Sequence, residues 1–266
     1  MDIEFRSLDG TILRGNLMTP QTSAQVVTVL VHGGGANRDE AGFFVRIAEA
    51  LAAAGAASLR FDLRGHGASD GRQEELTLSA ITNDIRAAIE HAQLVTRAPR
   101  TSLLGTSFGG GLCAFFAARH PGVLHRLALL NPLINYKKRF IDDKPYWTDD
   151  HIDEEAGRTL AAEGSLAHSP TFRLGRPLLN EVFYLRPDLE LAAIDVPTLF
   201  VHGTNDTFVP VDSSRRYIQQ IRAETRLVEV DGAQHGIAVD NDPAYQNPQT
   251  LAWQASVIRT LTDWLT

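Results

Sequence analysis

Short apolar, β-branched runs alternate with segments of helical periodicity along nearly the whole chain, and that alternation admits few folds. The run at 26–31 is Val-Val-Thr-Val-Leu-Val, almost wholly apolar, as a strand buried on both faces must be. Residues 57–62, 101–104 and 124–130 read as further strands, and 43–54, 78–94 and 108–119 as the helices among them. Within the second helix Leu78, Ile81, Ile85, Ala88, Ile89 and Ala92 fall on one stripe at helical spacing. A parallel sheet covered by helices on both faces is what such an order builds. The first two runs, 3–7 and 11–18, are joined through Leu8-Asp9-Gly10; an Asp-Gly turn signals a hairpin, so the sheet is expected to begin antiparallel.

The pattern breaks once. From Asn131 to about Asp195 the chain is aromatic, charged and punctuated by proline, with no strong strand. Afterwards a strand (198–202), a helix (211–221), a strand (226–230) and a helix (250–265) resume the alternation. An interruption of about 60 residues is too long for an ordinary loop and reads as a cap over one end of the sheet. The expected organisation is a core of residues 1–131 and 195–266, with a cap over 132–194 inserted after the sixth strand of a mostly parallel eight-stranded sheet.

Composition excludes several classes. With 32 acidic against 25 basic side chains the net charge is −7, so the chain carries no basic footprint for nucleic acid. Its one concentrated basic run, Lys137-Lys138-Arg139, reads as a solvated face, with contact to an anionic carrier as the alternative. The single cysteine, Cys113, cannot form an internal disulfide, which favours a reducing compartment. Asp2, Glu4, Arg6 and Asp9 occupy the stretch where a signal peptide needs an apolar region. No apolar run approaches the ~20 residues of a membrane span. A soluble cytoplasmic protein without membrane association is expected.

Gly105-Thr106-Ser107-Phe108-Gly109 lies between a strand and a helix, the setting in which G-x-S-x-G carries a nucleophile. A serine on a sharp turn stands clear of the sheet, and small neighbours let strand and helix approach; Gly105, Gly109, Gly110 and Gly111 meet that need. Earlier, Val31-His32-Gly33-Gly34-Gly35 follows the buried strand, where a glycine loop lets backbone amides reach a substrate oxygen. The amides of Gly34 and Phe108 are the expected oxyanion-hole donors, and His32, in the stem of the loop, is read as structural. A serine needs a base to take its proton. Asp206 follows the strand at 198–202, and His235 follows the strand at 226–230. Both therefore fall at the strand ends that present Ser107, in the chain order Ser, Asp, His. Asn131, at another position that sometimes supplies the acid, cannot carry the charge.

These motifs, together with the turn Phe61-Asp62-Leu63-Arg64-Gly65-His66-Gly67-Ala68-Ser69-Asp70-Gly71, resemble those of α/β-hydrolase-fold serine hydrolases over essentially the whole chain. Within that superfamily the chain is similar to cinnamoyl/feruloyl esterase-like hydrolases and to the serine aminopeptidase/monoglyceride-lipase branch. The resemblance implies an α/β-hydrolase fold and hydrolysis of a carboxylic ester of a small to medium acyl group through an acyl-Ser107 intermediate. A thioesterase or acyl-transferring enzyme would use the same residues, an amidase or peptidase is a weaker reading, and a non-catalytic receptor on the same fold is the remaining alternative. Gly35, Tyr136, Tyr146 and Trp147 are expected to contact substrate, with Phe140, Phe172, Phe183 and Tyr184 as further cap aromatics. His151 and His168, also in the cap, are read as structural before substrate contact. Arg64 and His66 are read as turn scaffolding, and Asp149, Asp150, Asp153, Glu154 and Glu155 as the start of an exposed cap helix rather than a metal site. No metal or cofactor is implied, the partner is a small acyl substrate, and a homodimer is plausible by resemblance only.

Overall fold

The computed structural model describes residues Met1–Thr266. Strands β1 (Asp2–Arg6) and β2 (Ile12–Met18) form the expected hairpin, in which Gly10 takes the left-handed conformation at φ +88°. They are followed by β3 (Val26–Val31), α1 (Phe43–Ala53), β4 (Ala57–Phe61), α2 (Leu78–Thr96), β5 (Arg100–Thr106), α3 (Ser107–Arg119) and β6 (Arg126–Leu130). An insertion then carries two short strands, β7 (Trp147–Thr148) and β8 (His151–Ile152), then α4 (Glu154–Glu163), the hairpin β9 (Ser165–Ser169) and β10 (Phe172–Gly175), and α5 (Arg176–Glu181). The chain ends with β11 (Thr198–Gly203), α6 (Val211–Ile218), β12 (Thr225–Val230) and α7 (Pro248–Leu265).

Eight strands make one sheet in the order β1-β2-β4-β3-β5-β6-β11-β12, antiparallel at β1/β2 and β2/β4 and parallel from β4 onward. All six residues of β3 are buried, and their side chains alternate between two cores. Val27, Val29 and Val31 join a larger cluster with α2, α3 and the insertion, whereas Val26 and Leu30 join a smaller one with α1 and α7. Burying a valine or leucine side chain stabilises by roughly 1.5–3 kcal/mol, so this strand anchors both layers.

From β3 the chain crosses to β4 on one side and later returns as β5 on the other. That reversal opens a crevice at the carboxyl ends of β3 and β5, where ligands of open α/β sheets bind. Two elements differ from the sequence reading. Strand β5 runs on to Thr106, directly against the serine, rather than ending at Leu104. The insertion is not strandless; its hairpins are short and rich in Ser, His and Thr, which blurs any apolar alternation.

Candidate active site

Ser107 sits at the junction of β5 and α3 with φ +49°, a left-handed conformation that a non-glycine residue adopts only where its surroundings impose it. Close packing imposes it here. A Cβ on Gly105 would lie 2.6 Å from Cys113 Sγ, and one on Gly109 would lie 2.4 Å from the His32 carbonyl. Helix and strand are thus held too near for any side chain, and the serine hydroxyl is forced out into the crevice.

His235 reaches Ser107 from the loop after β12, with Nε2 2.9 Å from Oγ. Its Nδ1 lies 2.7 Å from Asp206 Oδ2. The network assigns the proton of neutral His235 to Nδ1, leaving Nε2 to accept from the serine. Asp206, in the loop after β11, is buried and saturated. Oδ1 accepts from the amides of Phe208 and Val209 at 2.8 Å each, and Oδ2 also accepts from Asn131 Nδ2 at 2.7 Å. His202 Nε2 stands 3.3 Å from Oδ2 while donating to the Val209 carbonyl at 2.7 Å. Burial alone would raise the Asp206 pKa; the hydrogen bonds from His202 and His235 and the Val209 amide outweigh it and hold the carboxyl well below the usual range.

The glycine loop after β3 is pinned on both sides. Gly33 N donates to Glu40 Oε1 at 2.6 Å, and Gly35 N donates to His66 Nε2 at 3.0 Å. Between them the Gly34 amide has no acceptor in the chain, and neither has the Phe108 amide in the first turn of α3. His66 arises from the Gly-rich turn after β4 and donates through Nδ1 to the Arg64 carbonyl at 3.0 Å. The other residues of that turn do scaffold it: Arg64 pairs with Asp9 and Asp84, and Asp62 accepts from Arg38 and the Ala68 amide. Burial pushes the His32 imidazole down to about 3, with the charge of His66 adding to it; Nε2 accepts from the Leu63 amide at 2.9 Å, a structural role. Glu40 is half-buried, but its carboxyl lies in a dry setting that pushes it up to about 7 against the single opposing bond from Gly33.

Ser107, His235, Gly34 and Phe108 line one cavity of about 210 Å³. The insertion supplies much of its wall through Phe140, His168 and Phe172, and Phe208 adds another ring. Phe172 lies so close under the loop that a Cβ on Gly34 would be 2.6 Å from its ring. Burial pushes His168 down to about 3, helped by the charges of Lys144 and Arg139, and its Nδ1 has no partner. His151 is exposed instead.

The four residues expected to contact substrate stand elsewhere. Tyr136 is fully buried, donating to the Phe108 carbonyl at 2.5 Å and stacking on Phe140, so it braces the cavity from behind. Tyr146 lines a separate pocket of the insertion with Asp153 and Leu166, and Trp147 packs on Phe183. Gly35 shapes the loop, its Cα facing Thr171 rather than the cavity. Tyr184 is solvent-exposed. Asn131, Glu40 and His66 are the residues that sequence reasoning passed over or gave other roles; a polar residue ending β6 was the only hint for Asn131. No group of three or more His, Cys, Asp or Glu side chains is arranged to hold a metal ion, and no helix is long and apolar enough to cross a membrane.

Comparison with known proteins agrees with this architecture. The family model described as serine aminopeptidase, S33, matches residues 22–152. The chain is 31% identical over 202 aligned positions to AB hydrolase superfamily protein YisY of Bacillus subtilis, covering 66% of this chain and 73% of that one. It belongs to the α/β-hydrolase superfamily and is an enzyme of that class. Among its relatives is a monoacylglycerol lipase of Mycolicibacterium smegmatis, 27% identical over 285 aligned positions that cover 98% of this chain and 95% of the lipase. Among solved structures, Est1E from Butyrivibrio proteoclasticus with ferulic acid bound has the same fold, with a TM-score of 0.80 over 98% of both chains at 22% identity.

Proposed function

We propose that this protein hydrolyses carboxylic esters of small to medium acyl groups through an acyl-Ser107 intermediate. The observation that carries the reading is the unbroken hydrogen-bond path from Ser107 Oγ to His235 Nε2 at 2.9 Å and from His235 Nδ1 to Asp206 Oδ2 at 2.7 Å. The monoacylglycerol lipase among its relatives supports an ester as the acyl donor.

In this reading Ser107 Oγ attacks the ester carbonyl while its proton passes to His235 Nε2. Asp206 stays ionised, fixes the tautomer of His235 and stabilises the imidazolium. Negative charge developing on the carbonyl oxygen meets the amides of Gly34 and Phe108, which have nothing else to bond, with the amino end of α3 behind them. Collapse of the tetrahedral adduct breaks the ester C–O bond, and His235 returns the proton to the departing alcohol. Water, activated by the same histidine, then releases the acid. Residues 132–194 act as the cap, and the ring-lined cavity of about 210 Å³ takes the acyl chain.

An activated phosphonate reacted with the protein and located by mass spectrometry tests this directly. A single adduct on Ser107, lost in His235→Ala, together with ester turnover that falls at least about 10³-fold in Ser107→Ala, is expected. A folded protein that forms no adduct and turns over no ester would refute the reading. Matched acyl-thioesters in the same assay decide whether an ester or a thioester is the better donor.

A further inference from the structure

A second, larger cavity of about 380 Å³ adjoins the first and shares Leu133 and Phe208 with it. Its chemistry is different, because Lys138, Arg139 and Arg216 all contribute to its lining. The run Lys137-Lys138-Arg139 does not behave as one solvated face. Lys137 is paired with Asp142 and Asp150 at 2.6 and 2.7 Å, and Lys138 with Asp143. Arg139 is paired with nothing: its guanidinium has no acceptor in the chain, its Nε is buried without a partner, and its Cζ lies 3.9 Å from the centroid of the Phe208 ring. Phe208 in turn packs on His235 with ring centroids 4.8 Å apart.

Other groups nearby deepen the imbalance. Lys144 is half-buried with no ion-pair partner, and its charge and that of Arg139 act on each other and on His168. Arg216 makes no ion pair, and Ser213 Oγ, on the same wall, is buried and unpartnered. The acidic residues of that wall are spent, Asp143 on Lys138 and Asp212 on Arg215 at 2.9 Å. Withdrawing a cation from water is unfavourable, and burial lowers both Arg139 and Lys144 from their ordinary values; the charges of Asp143, which acts on both, and of Asp206, which acts on Arg139, offset it only in part and from beyond ion-pair distance. In a chain of net charge −7, which has acidic residues to spare, such a concentration of unmatched cations beside the nucleophile fits a ligand that brings the anion itself.

We infer that the substrate is an anionic ester, one limb of which ends in a carboxylate or phosphate held by Arg139 in the second cavity, with the charge of Lys144 close behind it. This rests on the ester-hydrolase reading. A planar guanidinium over an aromatic ring is well placed for two parallel bonds to such an oxyanion. Phe208, touching both Arg139 and His235, would carry the position of the bound charge to the base.

The test compares p-nitrophenyl adipate, whose acyl limb ends in a carboxylate, with neutral p-nitrophenyl hexanoate of equal chain length. A third substrate, 2-(butanoyloxy)ethyl phosphate against ethyl butanoate, places a phosphate on the alcohol limb. The expected result is a kcat/KM preference of at least about tenfold for one charged member, equivalent to about 1.4 kcal/mol. It should collapse toward unity in Arg139→Gln and be partly restored in Arg139→Lys. Lys144→Gln should reduce it independently, with circular dichroism reporting folding of each variant. Whichever charged limb is preferred identifies the source of the anion. Preference for neither, or a preference unaltered in both glutamine variants, overturns the inference. Calorimetric titration of the Ser107→Ala protein with adipate, which needs no turnover, separates this failure from that of the ester reading. Binding that weakens at least about tenfold on adding Arg139→Gln supports the anion site even if no ester is cleaved; the same titration with 2-hydroxyethyl phosphate covers the alcohol limb, and absence of binding by both anions overturns it.

Discussion

Glu40 offers a perturbation whose size follows from its surroundings. Its carboxyl is pushed from an ordinary 4.5 up to about 7, chiefly by burial, and its one hydrogen bond comes from the Gly33 amide. The folded state therefore holds a proton that the unfolded chain has released between these two values. Stability must then fall as pH rises through that window, and level off beyond it. Each pH unit is worth about 1.36 kcal/mol, so the full rise amounts to roughly 3 kcal/mol; discounted for the partial exposure of the residue, about 2 kcal/mol is expected. Glu40→Gln keeps an oxygen for Gly33 and removes the titration. The difference in stability between Glu40→Gln and the parent should grow by about 2 kcal/mol from pH 5 to pH 8, or about 4 °C in Tm for a chain of this size. Thermal denaturation at several pH values measures it, and every other titrating group cancels in the difference. A difference that does not change with pH would refute the claim that this carboxyl is held neutral by burial.

Two further substitutions probe the reaction site. Gly34→Ala places a methyl 2.6 Å from the Phe172 ring, so loop or ring must move, and kcat on a p-nitrophenyl ester should fall on the order of 10²-fold; an unchanged kcat would refute the claim that the Phe172 contact fixes the position of the Gly34 amide. Asp206→Asn should lower kcat on the order of 10³-fold or more, by upsetting the tautomer of His235. Because the Asp206 carboxyl is held below the usual range, the stability it lends is present above about pH 4 and is lost as pH falls further, so acid unfolding should be shallower in the Asn variant.

The elements were legible where periodicity is strong. The all-apolar β3 and the stripe on α2 leave little choice, and G-x-S-x-G after a strand locates Ser107. Asp206 and His235 were legible through chain order, because each ends a strand of the same sheet. What stayed hidden depends on distance across the fold. Asn131 reads as a failed acid, yet its amide clamps Asp206 75 residues away. His66 reads as a turn residue, yet its ring crosses to the Gly35 amide. Arg139 is hidden for a different reason: a basic triplet gives no sign of which member lacks a counter-ion. Tyr136 was misplaced because aromatic residues look alike in sequence whether they line a cavity or brace it from behind.

The path from Ser107 to His235 joins residues 128 positions apart, and β6 finds its neighbour β11 only after the whole insertion has been traversed. The nucleophile and its glycine loop belong to β3 and β5, which pair early in the chain, whereas the base comes from the far edge of the sheet. Long-range pairings of this kind form slowly, since loop closure must come before the contacts that reward it. The β3–β5 pairing, Val26 with Arg100, spans as much chain as the β6–β11 pairing, Leu127 with Thr198, so Ser107 gains its base only once both halves of the sheet have closed. Its reactivity toward a phosphonate should appear only when the last strand docks, which makes one hydroxyl a clock for completion of the entire sheet.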